Sequence, residues 1–193
     1  MSDGYHHGNL RQALIDAGVR IINESGEEGL SLRKVAASCG VTHAAPYAHF
    51  KDKDELINAI KASVNEQFME ELRQAAAGGQ DAEKALINMG RSYVSFFARN
   101  PDYFRFLFGN QNIVAHLQPD KRYEEDYPPF ALLKDTYRKY LKEKNIKKNK
   151  EKQELELIHL WSSAHGLAAI ACMPGVETSF DWQSKKIWEV LLR

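Results

Sequence analysis

The side chains able to do covalent or metal chemistry are few and scattered. The chain has seven histidines and two cysteines. His116, His159, His165 and Cys172 do not fall at the spacings of a zinc site. His6 and His7, in the run Tyr5-His6-His7-Gly8, cannot complete a metal site by themselves; a flexible arm lying along a partner is the other reading. A catalytic site needs a nucleophile, a base and an orienting group together. No G-x-S-x-G or H-E-x-x-H occurs, and no glycine-rich phosphate loop follows a strand. No enzyme activity, cofactor or metal is expected.

Binding chemistry is better represented. With 26 basic and 26 acidic residues the net charge is zero, so a nucleic-acid binder of this composition must gather its positive charge locally. Between Ser31 and Lys53, Arg33, Lys34, Lys51 and Lys53 face only Asp52. A second basic run, KEKNIKKNKEK near Lys134–Lys152, reads as a solvated helix end and loop. Aromatic side chains recur at Tyr93, Phe96, Phe97, Phe104, Phe106 and Phe108, and Trp161 and His165 stand one helical turn apart.

The elements that must position these residues are helices. Leu10, Ala13, Leu14, Ala17 and Ile21 share one helical face, with Asn9 and Gln12 as a capping box. Ser31 caps a short helix that turns Leu32, Val35, Ala36 and Cys39 inward, and Gly40 ends it. Thr42 is expected to cap a third helix reaching about Phe50, in which Pro46 is unusual. Asp52 and Glu55 start a long fourth helix running to about Ala77. Further helices are expected from Asp81 to about Asn100, through DYFRFLFGN, and near 129–145, 151–173 and 180–192. Strand alternation is absent, so the fold class is all-α.

The segment Ser31–Phe50, a short helix, a glycine turn and a second short helix, has the anatomy of a helix-turn-helix. The stretch GLSLRKVAASCGVTHAAPYAHFKDKDELINAI resembles the DNA-binding domain of the TetR family of bacterial transcriptional regulators. Leu32, Arg33, Val35, Ala36, Gly40-Val41, Tyr47, His49-Phe50, Lys53 and Leu56 carry the match, which reaches back to about Asn9. The resemblance implies a DNA-facing set of Leu32, Arg33, Thr42, His43, Ala44, Ala45, Tyr47, His49 and Lys53. In it His43, Ala44 and Ala45 face bases, while Tyr47, His49 and Lys53 reach phosphates. Arg33 suits a guanine or a phosphate, because its planar fork fits either.

The resemblance also implies a helical C-terminal region that senses a small molecule and dimerises. The run Trp161-x3-His165-Gly166 looks like the Trp-His-Gly signature of one TetR subgroup. Tyr93, Phe97, Phe104, Phe108, Trp161 and His165 are the expected ligand-binding set, for a small and largely apolar molecule. A core histidine among packing aromatics is the alternative for His165. Small residues at Gly166, Ala168, Ala169 and Ala171, with apolar Ile187, Trp188, Leu191 and Leu192, suggest a homodimer interface.

The expected organisation is a helix-turn-helix DNA-binding domain over 1–53 and an effector-binding and dimerisation domain over 54–193. The expected function is a ligand-responsive repressor released from a palindromic double-stranded operator. A helical interaction module without DNA binding, or an activator, are the competing readings. No run approaches the ~20 apolar residues of a membrane span and no secretory signal opens the chain, so a cytoplasmic protein with two reduced cysteines is expected.

Overall fold

A computed structural model describes residues 10–109, 113–177 and Trp182 of the 193-residue chain. The described residues form seven α-helices and two 3-10 turns, with no strand. Helix α1 (Leu10–Ser25) buries Leu14, Ile15, Ala17, Gly18 and Ile22. Gly18 sits where α1 crosses the long third helix; a Cβ there would lie 2.3 Å from the Ile60 side chain. The expected Asn9 cap and the Tyr5–Gly8 run lie outside the described residues.

Helix α2 (Leu32–Ser38) begins as the sequence predicts. The Ser31 hydroxyl accepts the Lys34 N–H at 3.2 Å, and Leu32, Val35, Ala36 and Cys39 are buried. Its end is a Schellman turn: Gly40 takes φ +67°, Gly40 N–H donates to Ala37 O, and Val41 N–H donates to Ala36 O. Only a residue without a Cβ adopts that φ at little cost, so Gly40 sets the direction in which the chain leaves α2.

The segment beyond Gly40 differs from the expected third α-helix. Residues Ala45–Ala48 form a 3-10 turn with Ala44, not Thr42, at its N-cap position. Pro46 is the reason. In an α-helix its N–H would bond the Thr42 carbonyl, and proline has none. The Ala45 N–H takes that carbonyl instead at 3.0 Å, and Tyr47 N–H donates to Ala44 O, so the segment winds with the tighter repeat.

Helix α3 (Lys53–Ala77) starts with the Asp52 carboxylate accepting the Glu55 N–H at 2.9 Å. Glu55 reaches back to the Lys51 N–H at 2.6 Å, one residue beyond a standard capping box. At 1.5 Å per residue the helix is about 37 Å long. It buries Leu56, Ile57, Ile60, Val64, Phe68, Met69 and Leu72. Asp81 caps α4 (Ala82–Arg99), and Pro101 opens α5 (Pro101–Phe108). Pro128 and Pro129 occupy the first turn of α6 (Pro128–Glu143), where a missing N–H costs nothing. Asn149 caps α7 (Lys150–Ala171).

One apolar core runs from Leu14 and Phe50 through Phe68 and Phe97 to Ala168. Ala168 is therefore fully buried within the protomer, which corrects its assignment to a helix-approach face. The run KEKNIKKNKEK is solvated as expected: Lys142, Lys144, Lys147, Lys150 and Lys152 are exposed, and Lys144, Lys148 and Lys150 pair with Glu83, Glu156 and Asp120. Lys134, upstream of that run, is instead 1% exposed and ion-paired to Asp126. The expected helix over 180–192, with Ile187, Trp188, Leu191 and Leu192, lies outside the described residues apart from Trp182, which packs against the core.

Candidate nucleic-acid interface and effector cavity

The first candidate site is the surface beyond the Gly40 turn. Thr42, His43 and Ala44 are exposed, Ala45 and His49 are half-buried, and Tyr47 is 61% exposed. An aromatic ring held that far into solvent is not part of the core. Pro46 and Phe50 are buried, so the turn is anchored on alternate sides of Tyr47. Arg11 lies over the Phe50 ring at 5.2 Å and fastens this anchor to α1. Arg33 and Lys34 are exposed on α2, and Lys51 and Lys53 are exposed beside the start of α3. Leu32 departs from the expected set: the residue is 8% exposed and belongs to the core. The result is a projecting polar edge with four cations and no buried charge, suited to a polyanion.

The second candidate site lies among α4, α5, α6 and α7. Tyr93 on α4 and His165 on α7 are joined Oη to Nδ1 at 2.9 Å. His165 packs against Phe104 and Phe108 of α5, with ring centroids 4.9 and 4.8 Å away. Phe97 contacts Tyr93, Phe104 and Phe108 within 5.5 Å. Burial pushes the Tyr93 phenol well above its ordinary value and pulls the His165 imidazole below its ordinary value. Both groups are held neutral at pH 7. The other face of α5 buries Tyr103, Phe106 and Leu107, and α5 touches both α1 and α7. The ring cluster therefore adjoins the helix that supports the DNA-facing unit.

The six expected ligand residues divide between two settings. Tyr93 and Trp161 line a cavity of about 50 Å³ between α4, α6 and α7. Phe97, Phe104, Phe108 and His165 instead pack on one another beyond Tyr93. The rest of the cavity wall includes Leu72, Leu86, Met89, Leu133 and Ala164, with the Phe130 ring tilted against Trp161 at 4.9 Å. These aliphatic positions were legible only as generic helix-core residues, because nothing in their spacing marks a void. Trp161 and His165 also line a shallow outer depression with Ala115, Leu117 and Ile158.

The segment leading into α6 is tied down by polar groups. Lys134 Nζ lies 2.6 Å from Asp126 and also donates to the carbonyls of His116 and Lys121. Asp126 accepts the His116 N–H at 2.8 Å, and the Tyr123 ring stacks on His116. Burial alone raises the Asp126 carboxyl, but the Lys134 and His116 hydrogen bonds outweigh it and hold the group below its ordinary value. Among the described residues there is no cluster of three or more metal-ligating side chains, and no helix long and apolar enough to cross a membrane.

Comparison with known proteins matches two family models. The model for bacterial regulatory proteins of the tetR family matches residues 14–60, and the tetracyclin repressor-like C-terminal domain matches residues 86–193. The nicotine-responsive transcriptional repressor HdnoR of Paenarthrobacter nicotinovorans is 37% identical over 71 residues, 37% of each chain. The class D tetracycline repressor protein of Escherichia coli is 30% identical over 116 residues, 58% of this chain and 47% of that one. The matched segments thus span less than half the length of these two relatives. Among solved structures, a protein of unknown function from Rhodococcus sp. RHA1 aligns with a TM-score of 0.73 at 22% identity, covering 99% of this chain and 94% of its own. A TetR/AcrR-family regulator from Thermobifida fusca aligns at 0.68 and 18% identity, covering 94% and 96%. These two alignments speak to the fold.

Proposed function

This chain belongs to the TetR family of bacterial regulatory proteins, and from that membership we propose that it is a DNA-binding transcriptional regulator, a repressor released from its operator by a small molecule. The observation that carries this reading is the exposed edge Thr42–Tyr47, set at a fixed angle to α2 by Gly40 and flanked by Arg33 and Lys53. In it Arg33, Thr42, His43, Ala44, Ala45, Tyr47, His49 and Lys53 meet DNA through side chains, and Leu32 through its backbone. Because Pro46 makes the edge a 3-10 turn, fewer consecutive side chains enter the groove than an α-helix would present. The protein works by binding, in the cytoplasm, without catalysis.

The remaining parts rest on the same reading. Residues 1–53 carry the DNA-binding unit, and 54–193 the effector-binding and dimerising body. The run Trp161-x3-His165-Gly166 supports reading the body as one of the Trp-His-Gly subgroup. The dimer forms through α7, whose outward stripe of Leu155, Ile158 and Ile170 is exposed, as is Met173 just beyond its end; at Gly166, within that stripe, an added Cβ would meet nothing within 4 Å. A homodimer presents two DNA-facing edges to half-sites about 34–36 Å apart or a multiple of that. Effector binding changes operator affinity only if the effector favours one arrangement of the two edges, and a tenfold loss needs about 1.4 kcal/mol of such preference.

Selection of bound duplexes from random sequence with the purified chain tests the proposal. A near-palindromic site, with affinity falling steeply as salt rises, is expected. Recovery of no enriched sequence at low salt overturns it.

A further inference from the structure

The regulator reading leaves open what tunes the strength of the contact with DNA. The projecting edge itself carries two titratable rings. His43 is exposed at its start, and His49 is half-buried where the 3-10 turn ends, its backbone N–H donating to Pro46 O at 2.9 Å. The two bracket Ala44, Ala45 and Tyr47. Among the described residues no carboxylate pairs with either ring. The other described histidines stand apart from this edge: His116 is held by Asp126, His165 is bonded to Tyr93, and His159 lies on α7.

The charged groups on the surrounding elements are cations or carboxylates engaged elsewhere. Helix α2 brings Arg33 and Lys34, and the segment into α3 brings Lys51 and Lys53, all exposed. Asp52 accepts the Glu55 N–H at 2.9 Å, and Glu55 accepts the Lys51 N–H at 2.6 Å. On α1, Arg11 lies over the Phe50 ring and Asp16 accepts the Gln12 amide at 2.8 Å. Asp54 is exposed on the first turn of α3 and pairs with neither imidazole. An anion that meets the two rings must therefore come from outside the chain.

A phosphate is such an anion. A neutral imidazole offers one N–H donor and one lone pair, and the lone pair repels a phosphate oxygen; the protonated ring offers two donors and a positive charge. The bond of the charged form is the stronger, so a phosphate favours protonation. Histidine in water gains that proton near pH 6.5, close enough to neutrality for a phosphate contact to decide its state. The DNA-bound edge then holds more protons than the free edge, and a complex that holds more protons than its parts tightens as pH falls.

We propose that operator binding is coupled to proton uptake at His43 and His49, so that the protein holds its operator more tightly as pH falls from 8.0 to 6.5. The proposal rests on the DNA-binding reading above. Arg33, Lys51 and Lys53 supply an attraction that does not vary over this range, and the two imidazoles add one that does. The lower limit stays above the range in which buried His165 gains a proton.

Calorimetric titration of the full-length protein with its selected duplex, at constant ionic strength and in buffers of differing ionisation heat, counts the protons taken up. About one proton per dimer is expected at pH 7.0, with affinity rising about tenfold between pH 8.0 and 6.5. The double variant His43→Gln/His49→Gln keeps a neutral hydrogen-bonding group at each position and cannot titrate. Its proton uptake should vanish and its affinity should stay level with pH. Each single variant should keep part of the uptake, which carries the test if the double variant binds too weakly to titrate. Uptake that is equal in the parent and the variants overturns the proposal, as does parent binding with no uptake; in both cases the duplex is still bound and the regulator reading stands. If no duplex is bound at any pH, the regulator reading falls and takes the proposal with it.

Discussion

Tyr93 and His165 join α4 to α7 through a buried hydrogen bond of 2.9 Å, with Phe104 and Phe108 packed on the imidazole. The phenol stays protonated and shares one hydrogen bond with Nδ1 of the neutral imidazole. Protonation of that imidazole puts a cation among rings.

That arrangement dictates a pH dependence. Burial holds the folded His165 pKa below its ordinary 6.5. The unfolded chain therefore binds a proton first as pH falls, and stability declines from about 6.5 downward until the folded value is passed. His165→Gln keeps an acceptor without the titration. Its unfolding midpoint should change less than that of the parent protein between pH 7.5 and 5.5, measured by urea denaturation. Equal slopes for the two proteins exclude this role.

The DNA-facing residues separate by mechanism. Arg33→Ala should cost about 1–3 kcal/mol of operator binding, with relaxed preference at one base pair for a guanine contact or a uniform loss for a phosphate contact. Lys53→Ala should reduce the salt slope by about one, since one counterion fewer is released. Tyr47→Phe should weaken binding without altering that slope, because the lost group is neutral. All three side chains are surface groups outside the core, so thermal midpoints should stay within a degree or two of the parent. Binding measured across a salt series checks each.

Ile170→Asp and Leu155→Asp place charge in the exposed stripe of α7. A carboxylate buried there across a two-fold would have no partner. Both variants should be monomeric by light scattering and should bind an operator half-site singly and weakly. Retention of the dimer mass moves the interface off this face.

The Lys134–Asp126 pair offers a stability test away from either site. Lys134→Met strands a buried carboxylate and should cost about 3–5 kcal/mol. Adding Asp126→Leu should recover part of that loss, although the His116 N–H then lacks its acceptor. Denaturant titration of the double variant and of both single variants gives the coupling, and additive losses would show that the pair does not act as a unit.

Much of this protein was legible in its sequence because the signals are local. Helix spacing, the Ser31, Asp52 and Asp81 caps, and the Gly40 stop depend on neighbours within five residues, and each stands where the sequence predicts it. The helix-turn-helix was legible for the same reason. Pro46 could be seen as irregular, but its consequence, a 3-10 turn with Ala44 at its head, depends on which carbonyl the missing N–H would have served. Long-range packing was not legible. Leu32 and Ala168 carry the right residue types for an interface, yet the core takes both side chains. Lys134 is a lysine upstream of the basic run, yet it is buried, because Asp126, eight residues earlier, folds back over it with two carbonyls. The aromatic and imidazole residues of the body were identifiable by type, but not which of them would meet each other and which would face a void. A cavity is what several helices fail to fill together, and no single helix carries that information in its own periodicity.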